Sequence, residues 1–409
     1  MRLLVTVSVL ACALSLAASR AGASATRWIG SWAASPAMPM AAPANNPARG
    51  TPTFDNQTVV QVLRLSAGGQ RLRLRLSNEY GTQPLAIGAA HVALVGPDGA
   101  VIAGSGRPLT FAGARIATIP PGAPLLSDPV ALPTKALARL RVSLFLPSDT
   151  HGCTCHMTGA ERVQVSPQGD WTERPLPPTA AGASAPQAEY RAFLTGVEVE
   201  TAGPTSPVVV ALGDSITDGY RSTTRADRRW PDRLAERLVA KARPVGVVNA
   251  GISGNRVISD GAIAIFGQSA LSRFDRDVLS IPGATHIVIL EGINDLGGRP
   301  TPAAEALIAG YRQLIARAHA HGLKMIGATL LPYGGAAYFS APGETERQKI
   351  NAWIRTSHEF DGVVDLDAAV RDPARPERMK ADLQSGDWLH PNDAGYRVMG
   401  EVVDLSLFR

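Results

Sequence analysis

The sequence predicts two unlike halves: an all-β domain of sandwich or jelly-roll type, followed by a three-layer α/β/α domain. Three observations predict this. Between residues 58 and 147, short strand-like runs are separated by Gly, Pro and Asn turns with no helical period. From Val208 onward, apolar runs suited to buried parallel strands alternate with amphipathic segments. The 409 residues also exceed one ordinary domain. The expected partition is a leader over 1–25, a β domain over 26–203 and an α/β domain over 204–409.

The leader is read from its charge and its small residues. Arg2 supplies a short positive end, Leu3 to Ala18 is an apolar run, and Ala21-Gly22-Ala23 or Ala23-Ser24-Ala25 offers a cleavage site. A retained anchor is the alternative, although a spanning helix needs about 20 apolar residues. Lipid attachment is another, at Cys12 in the loosely lipobox-like Val9-Leu10-Ala11-Cys12. The expectation is an exported protein, secreted or periplasmic, with no stable membrane insertion.

After Trp28-Ile29-Gly30-Ser31-Trp32 comes a Pro/Ala-rich tract from Ser35 to Pro52, without period, expected along the surface. The β texture is clearest in Arg71-Leu72-Arg73-Leu74-Arg75-Leu76, which alternates charged and apolar as a half-buried strand should. Further strands are expected at Val59–Leu65, Ile87–Leu94, Val130–Leu132, Leu140–Leu146 and Tyr190–Val199. His151-Gly152-Cys153-Thr154-Cys155-His156 gathers four metal-capable side chains. Six consecutive residues close a tetrahedron poorly, so a local disulfide is preferred over free thiols or a metal. Pro175 to Pro186 reads as a long loop, and Ala202-Gly203-Pro204-Thr205 as the boundary between the halves.

In the second half the expected strands are Val208–Leu212, Val245–Asn249, His286–Leu290, Lys324–Thr329 and Val363–Leu366. Helices are expected at Asp227–Ala242, Ser269–Leu279, Pro302–His321, Glu344–His358 and Pro391–Leu407. Such a sheet binds ligands at the carboxyl ends of its strands.

Charge excludes some partners. The net charge is +5, but the basic residues are scattered singly and only five of forty are Lys, so no nucleic-acid footprint is present. Rival catalytic signatures are missing too. Thr217 stands where the G-x-S-x-G turn needs Gly, and neither HExxH nor a Walker loop occurs.

The polar residues gather at strand ends. Gly213-Asp214-Ser215-Ile216 follows the first strand and Asn249-Ala250-Gly251-Ile252-Ser253-Gly254-Asn255 closes the second. Glu291-Gly292-Ile293-Asn294-Asp295 follows the third, and Asp387-Trp388-Leu389-His390-Pro391 lies near the C-terminus. In this order the blocks resemble the GDSL/SGNH hydrolase family over Pro207 to about Leu407. The resemblance implies a flavodoxin-like sheet, Ser215 as nucleophile, Gly251 and Asn294 in the oxyanion hole with the Ser215 amide, and Asp387 with His390 as base. It also implies an ester hydrolase with no metal or organic cofactor. The β-rich half is similar to the region preceding such domains in some secreted bacterial members.

The residue types suit this chemistry on their own account. A serine hydroxyl is a poor nucleophile until a base takes its proton. An imidazole does this near neutral pH when a carboxylate fixes its tautomer. Asp387 and His390 are three apart, so one turn carries both, and Pro391 biases His390 toward extended backbone. Negative charge building on the carbonyl oxygen needs preorganised donors. Asp214 and Asp295 are expected to support their turns, Arg256 to face solvent or substrate, and His319 and His321 to lie on the surface. The expected substrate is a small-molecule or polysaccharide ester, with a broad lipase or arylesterase as the alternative. A surface-binding β domain beside a relic hydrolase is the rival of another class. Trp28 and Trp32 would either stack on a glycan or pack against the neighbouring domain. The α/β half alone is expected to cleave a small activated ester. Oligomeric state is not legible.

Overall fold

The computed structural model describes residues 26–41, 50–177, 189–201 and 206–409. The expected leader, residues 42–49 of the Pro/Ala tract, much of the Pro175–Pro186 loop and the boundary at Ala202–Thr205 lie outside the described residues.

The alternation at residues 71–76 builds the first antiparallel sheet. Its strands run in the order Arg27–Ala33, Leu194–Thr201, Gly69–Ser77 and Pro124–Leu126, with Val130–Thr134 also on Gly69–Ser77. Leu72, Leu74 and Leu76 are fully buried, while Arg71 and Arg73 on the opposite face pair with Glu200 and Glu198. The second sheet orders Gln164–Gln168, Gln57–Arg64, Arg139–Leu146, Ala89–Val95 and Arg107–Pro108. Leu140, Val142, Leu144 and Leu146 from this sheet join the same apolar core. Cys153 and Cys155 form a disulfide, and Cys155–His156 pairs with Arg191–Ala192 as a short antiparallel ladder. Both thiols of the cluster at 151–156 are used in this bridge.

The apolar runs from Val208 on form one parallel sheet, ordered Gly246–Gly251, Val208–Gly213, Ala284–Leu290, Lys324–Ala328 and Gly362–Val364. In chain order this is 2-1-3-4-5, the flavodoxin-like arrangement, whose switch point lies between the first and third strands. Helices Trp230–Ala240, Ala304–Ala320 and Asp393–Val402 each bury one apolar stripe, while the stripe buried by Ala341–Thr356 also carries Arg347 and Asn351. The segment expected as one helix at Ser269–Leu279 changes from α at Ala270–Phe274 to a π turn at Asp275–Leu279. The last helix stops at Val402, and Leu405–Phe408 is a 3-10 turn. Among the described residues no helix is long and apolar enough to cross a membrane.

The two halves share one apolar core. Val247 N–H donates to Ser66 Oγ at 2.9 Å, and Gly30 N–H to the Pro282 carbonyl at 2.8 Å. A Cβ on Gly30 would stand 2.8 Å from Ile281 Cγ2, so only glycine allows this approach. Arg64 reaches across to Glu236 at 2.8 Å, and Tyr80 O–H to Gln268 at 2.9 Å. Trp32 is buried within this seam near Arg191, while Trp28 is half-buried with the Arg73 guanidinium 4.4 Å from its ring. Of the two readings offered for these tryptophans, packing holds for Trp32.

Candidate active site

The end of the first strand turns directly into the four-residue helix Ser215–Asp218. Asp214 caps it, its Oδ1 accepting from Ile216 N–H at 2.9 Å, so Ser215 is the first helical residue. Its Oγ lies 2.8 Å from His390 Nε2. On the far side of the ring, His390 Nδ1 lies 2.7 Å from Asp387 Oδ2. A carboxylate at Nδ1 keeps the proton there and leaves Nε2 to accept from the serine hydroxyl.

The turn that carries this pair is held by its own backbone. Asp387 Oδ1 accepts from the amides of Leu389 at 3.0 Å and His390 at 2.9 Å, and Trp388 adopts φ +59° to close the loop. Burial alone would raise the Asp387 carboxyl. The bonds from the His390 side chain and these amides outweigh it and hold the group well below the usual carboxylate range. Tyr220 meets the His390 ring edge to face at 4.8 Å between centroids. The structure therefore brings Ser215, His390 and Asp387 into one hydrogen-bonded chain.

Asn294 also reaches this region. It sits on the short helix after the third strand; its Nδ2 donates to the Asn255 carbonyl at 2.9 Å and its Oδ1 accepts from Tyr338 O–H at 3.2 Å. One amide hydrogen remains for a substrate oxygen.

Gly251 requires a correction. Its N–H donates to Asn249 Oδ1 at 2.9 Å, and a Cβ there would lie 2.3 Å from the Asp218 amide nitrogen. The residue is glycine because it packs under the Ser215–Asp218 helix, not because it offers a donor. The rest of the turn points to another amide. Ile252 N–H donates to Gly213, Ser253 N–H to Asp218 Oδ2 and Asn255 N–H to Ile252. Gly254 alone in this turn keeps an N–H without an acceptor among the described residues, at φ +81° beside the carbonyl that holds Asn294. Both glycines lie in one motif; spacing does not tell which amide is already used.

Two further residues escaped the sequence reading. Arg273, on the helix after the second strand, is almost fully buried. Its guanidinium donates to the carbonyls of Gly213 at 3.0 Å and Ala250 at 2.6 Å, to Asn255 Oδ1 at 2.9 Å and to Asp277 at 3.0 Å. It ties together both strand ends and the turn that ends at Asn255. Its one sequence signal was Asp277 four residues on. Around it lie Asp214, Glu291 and Asp295, all buried. Burial pushes Asp214 up to about 7 and Asp295 up to about 6, and raises Glu291 well above its ordinary value. Asp295 accepts from the amides of Val257 and Ile258, the turn-supporting role expected of it.

The second missed residue is His156, from the β-rich half. Its Nε2 lies 2.9 Å from Asp218 Oδ1, and Asp218 Oδ2 in turn accepts from Ser253 N–H at 3.1 Å and Oγ at 2.7 Å. No local pattern in the sequence links residues so far apart.

An oriented imidazole on a serine hydroxyl, with amide donors beside it, performs acyl transfer to water. Residues 211–398 match the family model described as GDSL-like lipase/acylhydrolase. No curated protein matches the chain. Among solved structures, an aryl esterase of M. smegmatis is similar at 15% identity over 48% of this chain and 95% of that one, with a TM-score of 0.40. A carbohydrate acetylesterase family member from Sinorhizobium meliloti gives 20% identity, 48% and 94% coverage and a TM-score of 0.40. A lipase/acylhydrolase from Enterococcus faecalis gives 20% identity, 48% and 92% coverage and a TM-score of 0.38. The C-terminal half of this chain is a GDSL-like lipase/acylhydrolase domain, and the protein is a serine ester hydrolase.

Proposed function

We propose that this protein is an exported esterase that removes acetyl or other short acyl groups from a carbohydrate or similar small polar ester through an acyl-serine intermediate. His390 Nε2 accepts the Ser215 proton as Oγ attacks the ester carbonyl, while Asp387 stabilises the imidazolium. The amides of Ser215 and Gly254 and the Asn294 side chain receive the oxyanion. The imidazolium then protonates the leaving alcohol, and the same histidine activates the water that releases the acid.

The observation that carries this reading is the chain of bonds from Ser215 Oγ to His390 Nε2 at 2.8 Å and from His390 Nδ1 to Asp387 at 2.7 Å. The preference for a polar substrate is supported by a cleft of about 360 Å³ beside Tyr220, bordered by Glu189, Arg221, Ser222 and Thr224. Such a lining suits hydroxyl groups better than an alkyl chain. Export is supported by the sequence of the first 25 residues.

The test is a panel of aryl esters from acetyl to long-chain, with acetylated polysaccharides alongside. Activity greatest on acetyl groups, aryl and glycan alike, agrees with the proposal. A rise in kcat/KM with acyl length means a lipase instead.

A further inference from the structure

The outer face of the second β sheet carries a cleft of about 780 Å³ that the ester chemistry does not use. Its floor follows from strand register. Ser143 stands between Val60 and His91, and Arg141, two residues before it, between Val62 and Ala93. The period of two puts all six on the face opposite Leu140, Val142 and Leu144, which fill the core.

That floor holds polar groups without protein partners. His91 is 9% exposed, and its Nδ1 has no hydrogen-bond partner among the described residues. The Oγ of its cross-strand neighbour Ser143 has none either, but it lies fully buried beneath the floor and does not line the cleft. The Arg141 guanidinium reaches only backbone carbonyls, of Thr172 at 3.3 Å and Arg174 at 3.5 Å, and forms no ion pair among the described residues. Burial lowers its pKa with no carboxylate to oppose the shift. The acids at the rim are engaged already, Glu161 with Arg139 and Arg225, Glu173 with Arg115. Partly buried charge and buried polar atoms without partners are costly, so their clustering on one wall marks a place made for a ligand. The ligand needs an anion for Arg141, a hydroxyl for His91, and an apolar face for Val60, Val62 and Ala93.

We propose that this cleft binds an acidic saccharide, with a uronate carboxylate on Arg141 and a ring hydroxyl on His91. The site also has a direction. Arg225, at the rim of the cleft, donates its N–H to the Ala160 carbonyl at 2.9 Å, and Ala160 borders the second cleft beside Tyr220 and His390. The two clefts therefore adjoin, and a glycan long enough to span both would reach Tyr220, whose ring meets His390. This last step rests on the esterase reading; the carboxylate site itself does not.

The experiment titrates the full chain by calorimetry with a galacturonate oligomer, with a neutral galactose oligomer of equal length and with inorganic sulfate. The acidic oligomer is expected to bind and the neutral one to bind roughly tenfold more weakly or worse, the loss of one charge-assisted contact. Arg141→Leu should weaken the acidic oligomer by a similar factor and leave kcat/KM on an aryl acetate unchanged. In the wild type, hydrogen-exchange protection on binding should fall on Gln57–Arg64, Ala89–Val95 and Arg139–Leu146, which decides the matter if the variant does not fold. Equal affinity for both oligomers, sulfate binding as tightly as the oligomer, no binding, or protection elsewhere overturns the proposal. Binding without any esterase activity overturns only the esterase reading.

Discussion

Replacing His156 by leucine measures how far the β-rich half shapes the hydrolase site. Both ring nitrogens face acceptors: Nδ1 the Ser35 carbonyl at 3.0 Å, Nε2 Asp218 Oδ1 at 2.9 Å and the Thr158 carbonyl at 3.0 Å. Satisfying both sides needs two N–H groups, hence an imidazolium. Burial alone would lower its pKa, but the Asp218 carboxylate and these bonds raise it. Leucine removes the cation and leaves Asp218, 2% exposed, with only Ser253 to hold. Removing one partner of a buried pair costs about 3–5 kcal/mol. The sign with pH follows from the raised pKa. The pair's contribution is complete below the ordinary histidine value of 6.5 and fades as pH rises through the folded-state value. Urea titrations followed by circular dichroism should thus show the variant's deficit largest in mild acid and shrinking toward alkaline pH. Adding Asp218→Asn should recover part of the loss, since the stranded charge goes with it. A variant as stable as wild type in acid, or a deficit that grows with pH, would show that His156 is not held as a cation against Asp218.

Three other outcomes follow from the same geometry. Asn294→Ala should lower kcat on the order of 10²–10³ with little change in fold, as loss of one oxyanion donor does; near-normal steady-state kinetics would remove Asn294 from the site. Asp214→Asn keeps an acceptor for the Ile216 amide and removes a carboxyl whose pKa burial lifts from 3.8 to about 7. A raised acid costs the wild type stability progressively across that window, so the variant should melt higher than wild type above about pH 7, with the gap closing near the lower bound; a gap independent of pH contradicts the burial argument. A fragment from Pro204 to Arg409 should lose activity even on an aryl acetate, because it exposes the shared core and strands Asp218 and Arg64's partners. This reverses the expectation that chemistry confined to one half makes that half independent, and a fully active fragment would restore it.

The strand-end residues were legible because the parallel sheet makes them so. Buried parallel strands read as continuous apolar runs, and the polar residues that interrupt them fall where ligands bind. Ser215 and Asn294 were singled out this way, and Asp387 with His390 by their three-residue spacing near the C-terminus. Gly251 was misassigned because the motif offers two glycines three apart, and only the bond to Asn249 reveals which amide is spent. The strand Arg27–Ala33 was missed for a local reason. A register shift between Gly30 and Trp32 breaks the alternation, so the segment reads as no strand at all. Arg273 and His156 were invisible for a different one. Each acts through partners brought together only by the fold, Arg273 with two strand ends and His156 across the seam between halves. The share of the β-rich half in the site is therefore a property of packing.

The most direct test of the acyl-serine account is covalent capture. The protein is treated with an aryl phosphonate that mimics the tetrahedral intermediate, digested, and mapped by mass spectrometry. One adduct on the peptide containing Ser215 is expected, formed in step with loss of esterase activity, and absent from a folded Ser215→Ala variant that is itself inactive. An adduct on another residue, or a Ser215→Ala protein that still turns over esters at the wild-type rate, would contradict it.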